Sequence, residues 1–191
     1  MSSPLSQRFV IRDGTAGDLP ACVALDHTVE TDVVLQMKIY QPETNQWEIT
    51  LREERLPRKI EIAFTANERR LRAALSADQC FLIAASSTTD ALPSMLFGYL
   101  TLRPEPLEGV GMITDIVVAR PYRRSGIGAR LLNVARRWAK EHDLTRLMLP
   151  VQTKNAPGVR FCQASGFSFC GFNDRHYPNQ DIAVFFTQSV R

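Results

Sequence analysis

An α+β fold is what this sequence predicts, and three observations carry the prediction. Stretches in which apolar residues alternate with polar ones, or run together rich in β-branched residues, recur along the chain. Between them lie stretches whose apolar residues return every three or four positions. Pro, Gly, Asn and Asp punctuate both kinds, and 191 residues suffice for one domain with a substantial core. The expected organisation is a flexible tail over residues 1–7 and a single domain over 8–191.

Taken in order, Arg8 to Arg12 reads as a short strand that turns Phe9 and Ile11 to one side. Thr15-Ala16-Gly17-Asp18 has the spacing of a capping box, opening a helix that carries Leu19, Cys22, Val23 and Leu25 inward and ends near His27. Leu35, Met37 and Ile39, then Trp47, Ile49 and Leu51, alternate on either side of a Pro42-Glu43-Thr44-Asn45 turn, which predicts a β-hairpin near residues 33–55. A third extended piece follows Pro57, from Lys59 to Phe64. A polar helix from Ala66 or Asn67 to Ala77 places Leu71, Ala74 and Leu75 on its apolar side. Cys80–Ser86 reads as a core strand, Thr88–Pro93 as a turn and Met95–Arg103 as the antiparallel partner, with Pro104–Glu108 looping onward.

Ile113 to Leu132, ITDIVVARPYRRSGIGARLL, is the most informative stretch. Ile113, Ile116, Val117 and Val118 suit an interior strand, and Pro121 ends its ladder because it offers no N–H. Arg123-Arg124-Ser125-Gly126-Ile127-Gly128-Ala129 then leads into a helix with Ile127, Leu131, Val134 or Ala135, and Trp138 on one face. Glycines permit close backbone approach, and the first N–H groups of a helix have no intrahelical partner. Together with the helix dipole and several arginines they make a cradle for a pyrophosphate. A P-loop would need a lysine after its last glycine, and a dinucleotide fingerprint a third glycine; both are missing. Downstream, Arg146–Pro150 is a strand, Pro157–Ala164 a helix stopped by Gly166, and Phe167–Phe172 and Asp181–Gln188 are the last strands.

Hydrophobic residues make up 45% and charged residues 23%, ordinary values for a globular protein, and the net charge of +3 is too small to argue for nucleic acid. The cysteines at 22, 80, 162 and 170 and the histidines at 27, 142 and 176 show neither zinc spacing nor a disulfide framework, so no metal is expected. MSSPLSQRF lacks the apolar core of a signal peptide, and no apolar run is long enough to cross a bilayer. With reduced thiols, the cytoplasm is the expected compartment. Arg136, Arg137 and Lys140 read as a solvated helix face.

The order strand, Arg-x-x-Gly-x-Gly-Ala, helix, followed by Asn155, a helix and Gly166-Phe167, resembles the GNAT superfamily of N-acetyltransferases. A weaker likeness, covering mainly residues 95–188, runs to the streptothricin acetyltransferases through the Asp115-Ile116-Val117-Val118 strand and the Gly171–Asn179 connection. The resemblance implies a mixed, mostly antiparallel sheet of six to seven strands with helices on both faces. The hairpin near 33–55 is then an insertion, because typical members are helical there. It implies acetyl-CoA as co-substrate and transfer of its acetyl group to a primary amine of a small molecule, such as an antibiotic or polyamine. A peptide acetyltransferase and a non-catalytic acyl-CoA sensor are the alternatives. A homodimer is an option; nucleic acid and membrane are not expected partners.

By the same resemblance the coenzyme meets Ile116, Val117, Val118, Arg123, Arg124, Ser125, Gly126, Ile127, Gly128, Ala129, Asn155 and Phe161. A backbone N–H of Val117 or Val118 polarises the thioester carbonyl. Asn155 either meets the pantetheine arm or caps its helix. Asp115 is the candidate base, a carboxylate in an apolar strand; the alternatives are an ion pair with an arginine, and a water chain to Glu30 or Asp32. Cys162 stands where the family often has a tyrosine that protonates the departing thiolate, and reads either as that donor or as an inert core thiol. Tyr177, Tyr122 and solvent are the other candidate donors.

Overall fold

A computed structural model describes residues 9–64, 66–86, 95–105, 109–177 and 179–190. The expected 1–7 tail, the Thr88–Pro93 turn and residues 106–108 lie outside them. The sheet has seven strands: β1 (Phe9–Asp13), β4 (Cys80–Ser86), β5 (Leu96–Glu105), β6 (Val110–Val118), β7 (Arg146–Gln152), β8 (Ser168–Asn173) and β9 (Ala183–Ser189), in the order β1-β4-β5-β6-β7-β9-β8. A separate two-stranded sheet pairs β2 (Val29–Glu43) with β3 (Gln46–Ile62). The β1–β4, β4–β5, β5–β6 and β8–β9 pairs are antiparallel and β6–β7 is parallel. The chain divides into two compact units, residues 1–27, 65–149 and 188–191 in one and 28–64 and 150–187 in the other.

In the first unit, side chains alternate across the sheet. Phe81, Ile83, Ala85 and Tyr99 face a cluster built from Leu19 and Cys22 of α1 (Leu19–Ala24) and Leu71 of α2 (Glu68–Ala73), with Ala74 just beyond it. Leu82, Ala84, Leu100 and Leu102 are buried on the other face, against which α3 (Ile127–Glu141) packs. Both early helices are shorter than periodicity predicted. Val23, on the outer side of α1, and Leu75, past the end of α2, were expected inside and are exposed. On α3 the buried face is Ile127, Leu131, Leu132, Ala135 and Ala139, rotated from the expected one. Ala139 is fully buried, and Trp138 is turned from that face and stacks on His142, ring centroids 3.7 Å apart. Pro104 and Glu105 belong to β5 rather than to a loop.

The Thr15–Asp18 box forms as expected. The N–H and Oγ–H of Thr15 each donate to Asp18 Oδ2 at 2.8 Å, and Arg12 grips the same carboxylate with bonds of 2.6 and 2.8 Å. The Arg12 bonds, then those from Thr15, outweigh burial and hold the Asp18 carboxyl down at about 2. Its contribution is therefore complete above the unfolded value near pH 4 and is lost as pH falls through about 2. Asp18→Asn is expected to cost about 1–2 kcal/mol at neutral pH, a figure discounted for the partly exposed Arg12. Thermal melts from pH 2 to 7 should show the variant converging on the wild type at the acid end.

In the second unit the hairpin is longer than predicted. Its turn is Thr44-Asn45 alone, with Pro42 and Glu43 already in β2, and the expected third piece is simply the end of β3. Ile39 lies opposite Ile49 and Met37 opposite Leu51. Thr31 pairs with Ile60 but Val33 with Arg55, so the strand bulges around Pro57, which has no N–H to give a ladder. α4 (Ala156–Ala164) is tied to this hairpin by Arg160, which donates to both oxygens of Glu53 at 3.0 and 2.9 Å.

Candidate functional site

Strand β6 combines regular pairing with a defect. Thr101 pairs with Asp115 but Leu102 with Ile113, so Thr114 is an extra residue, a β-bulge. The parallel ladder with β7 covers only Val110–Met112 and Arg146–Met148. Beyond the bulge, Ala119 N–H donates to Phe97 O at 2.8 Å. In an antiparallel pair successive residues point to opposite edges. Val117 therefore faces β5, while the N–H groups of Ile116 and Val118 point away from it. Arg123 Nε donates to Val118 O at 3.0 Å, on that same outer edge.

Asp115 sits at this bulge with its side chain 11% exposed. Arg70 of α2 holds it in a two-point fork, Nη2 to Oδ1 at 2.5 Å and Nε to Oδ2 at 2.8 Å, and Thr101 Oγ1 donates to Oδ2 at 2.9 Å. The arginine ion pair, one of the alternatives the sequence left for Asp115, is present. Arg70 had no sequence signal, since it lies 45 positions away on another element.

The loop that follows turns through a short 3-10 segment, Arg120–Tyr122. Tyr122 stacks edge-on against Phe97 with centroids 4.6 Å apart, and its hydroxyl donates to Met95 Sδ. Arg123, expected at the phosphates, also clamps the loop: besides Val118 O it reaches Asp26 O through Nη2 at 3.0 Å. Arg120 adds an ion pair to the Asp26 carboxylate at 3.7 Å. Ser125 Oγ donates to Tyr122 O. Arg124, a non-glycine with φ +66°, and Ser125 lie exposed just before Gly126, which caps α3 at φ +86°. A Cβ at Gly126 would meet no atom within 4 Å. Position 126 thus borders open space; just after it, Ile127 anchors the helix in the core at 3% exposure and Gly128 is half-buried in the first turn.

In the second unit, Asn155 caps α4: its Oδ1 accepts from Gly158 N–H at 2.9 Å. A Cβ at position 158 would fall 2.7 Å from the Asn155 side chain, which accounts for glycine there. Phe161 is half-buried on α4, and Cys162 is fully buried, its thiol pushed up to about 12 by desolvation. Tyr177 is half-buried beside His176, which packs edge-on against Phe185, and burial lowers the His176 pKa. Asp32 pairs with Arg55 at 3.7 Å. Among the described residues no cluster of His, Cys, Asp and Glu could hold a metal ion, and no described helix is long and apolar enough to cross a membrane.

Residues 41–167 match the acetyltransferase (GNAT) family, and the chain belongs to that family. Streptothricin acetyltransferase A of Bacillus subtilis (strain 168) is 36% identical over 81 residues, 40% of this chain and 47% of the relative, so the match spans about half the length of that curated relative. The fold is similar to that of a nourseothricin acetyltransferase, with a TM-score of 0.80, 23% identity and 96% and 99% of the two chains covered. It is also similar to that of a candidate streptothricin acetyltransferase of Bacillus anthracis solved with acetyl coenzyme A, with a TM-score of 0.75, 23% identity and 95% and 98% covered. The 34-residue hairpin Val29–Ile62 is far larger than the 4% of the chain left unmatched by the nourseothricin enzyme. The alignment with that enzyme therefore runs through most of the hairpin.

Proposed function

We propose that this chain is an acetyl-CoA-dependent N-acetyltransferase whose acceptor is a primary amine of a small molecule, streptothricin-type antibiotics being the first class to test. The observation that carries the reading is the left-handed Gly126, bordered by open space, at the start of α3 in the connection from the bulged strand β6. The residues there fit a pyrophosphate: first-turn N–H groups and the helix dipole face it, with Arg124 exposed at the rim. Within this reading Gly126, Ile127, Gly128 and Ala129 cradle the phosphates, and Asn155 and Phe161 meet the rest of the coenzyme.

Acetyl-CoA supplies an activated thioester. The chain has to polarise its carbonyl and receive a neutral amine, although a lysine-like ammonium has a pKa near 10.4. We assign the first task to Val118 N–H, favoured over Val117 because it points away from β5; a backbone donor of this kind contributes a few kcal/mol. Asp115 is assigned to positioning, since Arg70 and Thr101 occupy its carboxylate, and amine deprotonation goes to water. Tyr177 is the proposed proton donor to the thiolate in place of Cys162, whose buried thiol at about 12 is a poor acid. None of the four cysteines is in a disulfide, in keeping with the proposed action in the cytoplasm.

Calorimetry with acetyl-CoA, followed by turnover of streptothricin, polyamines, aminoglycosides and peptides, tests the reading. Transfer to streptothricin or a polyamine is expected. Preferential transfer to peptides would replace the acceptor class, and tight coenzyme binding without turnover of any acceptor would indicate a sensor. The hairpin belongs to the acceptor side in this scheme. Asn45→Ala, or a shortened Thr44–Asn45 turn, should leave the acetyl-CoA Kd nearly unchanged; a shift above tenfold in a folded variant would contradict it.

A further inference from the structure

Four polar side chains are buried among the described residues: Thr31, Thr101, Gln152 and Thr153. The hydroxyl of Thr101 bonds Asp115 and Thr114, and that of Thr31 donates to Val33 O at 2.6 Å. Gln152 is different. It is 7% exposed, and its Oε1 is the one buried side-chain oxygen with no hydrogen-bond partner among the described residues. A native core rarely leaves such an acceptor unmet, because its desolvation is uncompensated.

The backbone around Gln152 is already committed. Its own carbonyl accepts from Asn155 N–H at 2.9 Å, Thr153 N–H donates to Ile182 O at 3.0 Å, and Thr153 O accepts from Leu35 N–H at 2.8 Å. Lys154 Nζ is on the Asp181 carboxylate at 2.5 Å, and Asn155 Oδ1 caps α4. The end of β7 is thus tied at once to the hairpin, to the segment ahead of β9 and to the start of α4. A side chain on such a frame is held in place, which is what a positioning group requires. The unmet group on this frame is a carbonyl oxygen, so what completes it must bring a hydrogen-bond donor, which an N–H supplies.

We propose that the Gln152 carboxamide is a ligand-positioning residue whose Oε1 accepts a hydrogen bond from a nitrogen of the bound reactants. This rests on the acetyltransferase reading, in which two molecules offer such a nitrogen: the amino-bearing acceptor and the amide-containing pantetheine arm of the coenzyme. The chemistry required is the same for both.

Gln152→Met keeps length and volume and deletes the acceptor; Gln152→Asn keeps the amide but withdraws it by one methylene. Both are to be measured for Tm, for the acetyl-CoA Kd by calorimetry and for kcat/KM with streptothricin. Gln152→Met is expected to hold or raise the Tm of the ligand-free protein, since an unmet buried acceptor disappears. At least a tenfold fall in kcat/KM for streptothricin with an unchanged acetyl-CoA Kd assigns the N–H to the acceptor. At least a tenfold rise in the Kd assigns it to the pantetheine arm, and Gln152→Asn should reproduce whichever loss is seen. Unchanged Kd and kcat/KM in both variants, or a lowered Tm with ligand parameters intact, would show Gln152 to be structural and overturn the proposal. A wild type that binds no acetyl-CoA would sink the acetyltransferase reading itself and this proposal with it.

Discussion

Gly126→Glu is expected to abolish detectable acetyl-CoA binding while leaving the protein folded. Two effects act at this position and they can be separated. A non-glycine residue at φ +86° is strained by about 1–2 kcal/mol, which a domain of this size should survive. The new Cβ meets no atom within 4 Å, so no steric clash is added to that strain. The carboxylate, however, extends from the mouth of α3 into the space proposed for a pyrophosphate, opposing charge with charge where the helix dipole favours an anion. Gly126→Ala carries the strain without the charge and should weaken binding only modestly. Gly128→Glu, in the first turn, should behave like Gly126→Glu. Calorimetry with acetyl-CoA and circular dichroism on the same samples decide the matter: unchanged affinity in a folded Gly126→Glu protein removes the cradle.

The contrast between Gly126 and its neighbours shows what a sequence makes legible. Much that is local could be read: the strand at Cys80–Ser86, the Thr15–Asp18 box, the glycine opening α3 and the Asn155 cap each depend on residues a few positions apart. The hairpin was legible because alternation is local too. Its length was not, since a bulge around Pro57 lets one strand continue where punctuation suggested a break. Contacts between distant segments left no trace. Nothing near Asp115 announces Arg70, and nothing in Arg-Arg-Ser-Gly-x-Gly says that Arg123 will grip Val118 and Asp26. The bulge at Thr114 carries no glycine or proline to mark it. Gln152 gave no signal either, because an unmet acceptor is a property of a packed core and not of a pattern.

The pair Arg70–Asp115 yields the second large effect. Asp115→Asn and Arg70→Ala are each expected to lower kcat by about tenfold or more, with the acetyl-CoA Kd held, because the backbone donors of β6 and the α3 N-terminus remain. Each should also cost about 1–3 kcal/mol of stability, less than a fully buried pair because Arg70 is 42% exposed. The groups act as one unit holding the bulge, so the double variant should be little worse than either single one. A general base behaves otherwise. Were Asp115 to remove the amine proton, Asp115→Asn would lose about 10²-fold or more in turnover, and its pH profile would rise only as the free amine becomes populated. Arg70→Ala would keep that base, so it would retain most of its turnover with a displaced pH profile. Positioning instead predicts that both variants keep the wild-type shape of the profile and lose only amplitude. Comparing the pH dependence of kcat in the two variants therefore separates a carboxylate that moves a proton from one that holds a strand.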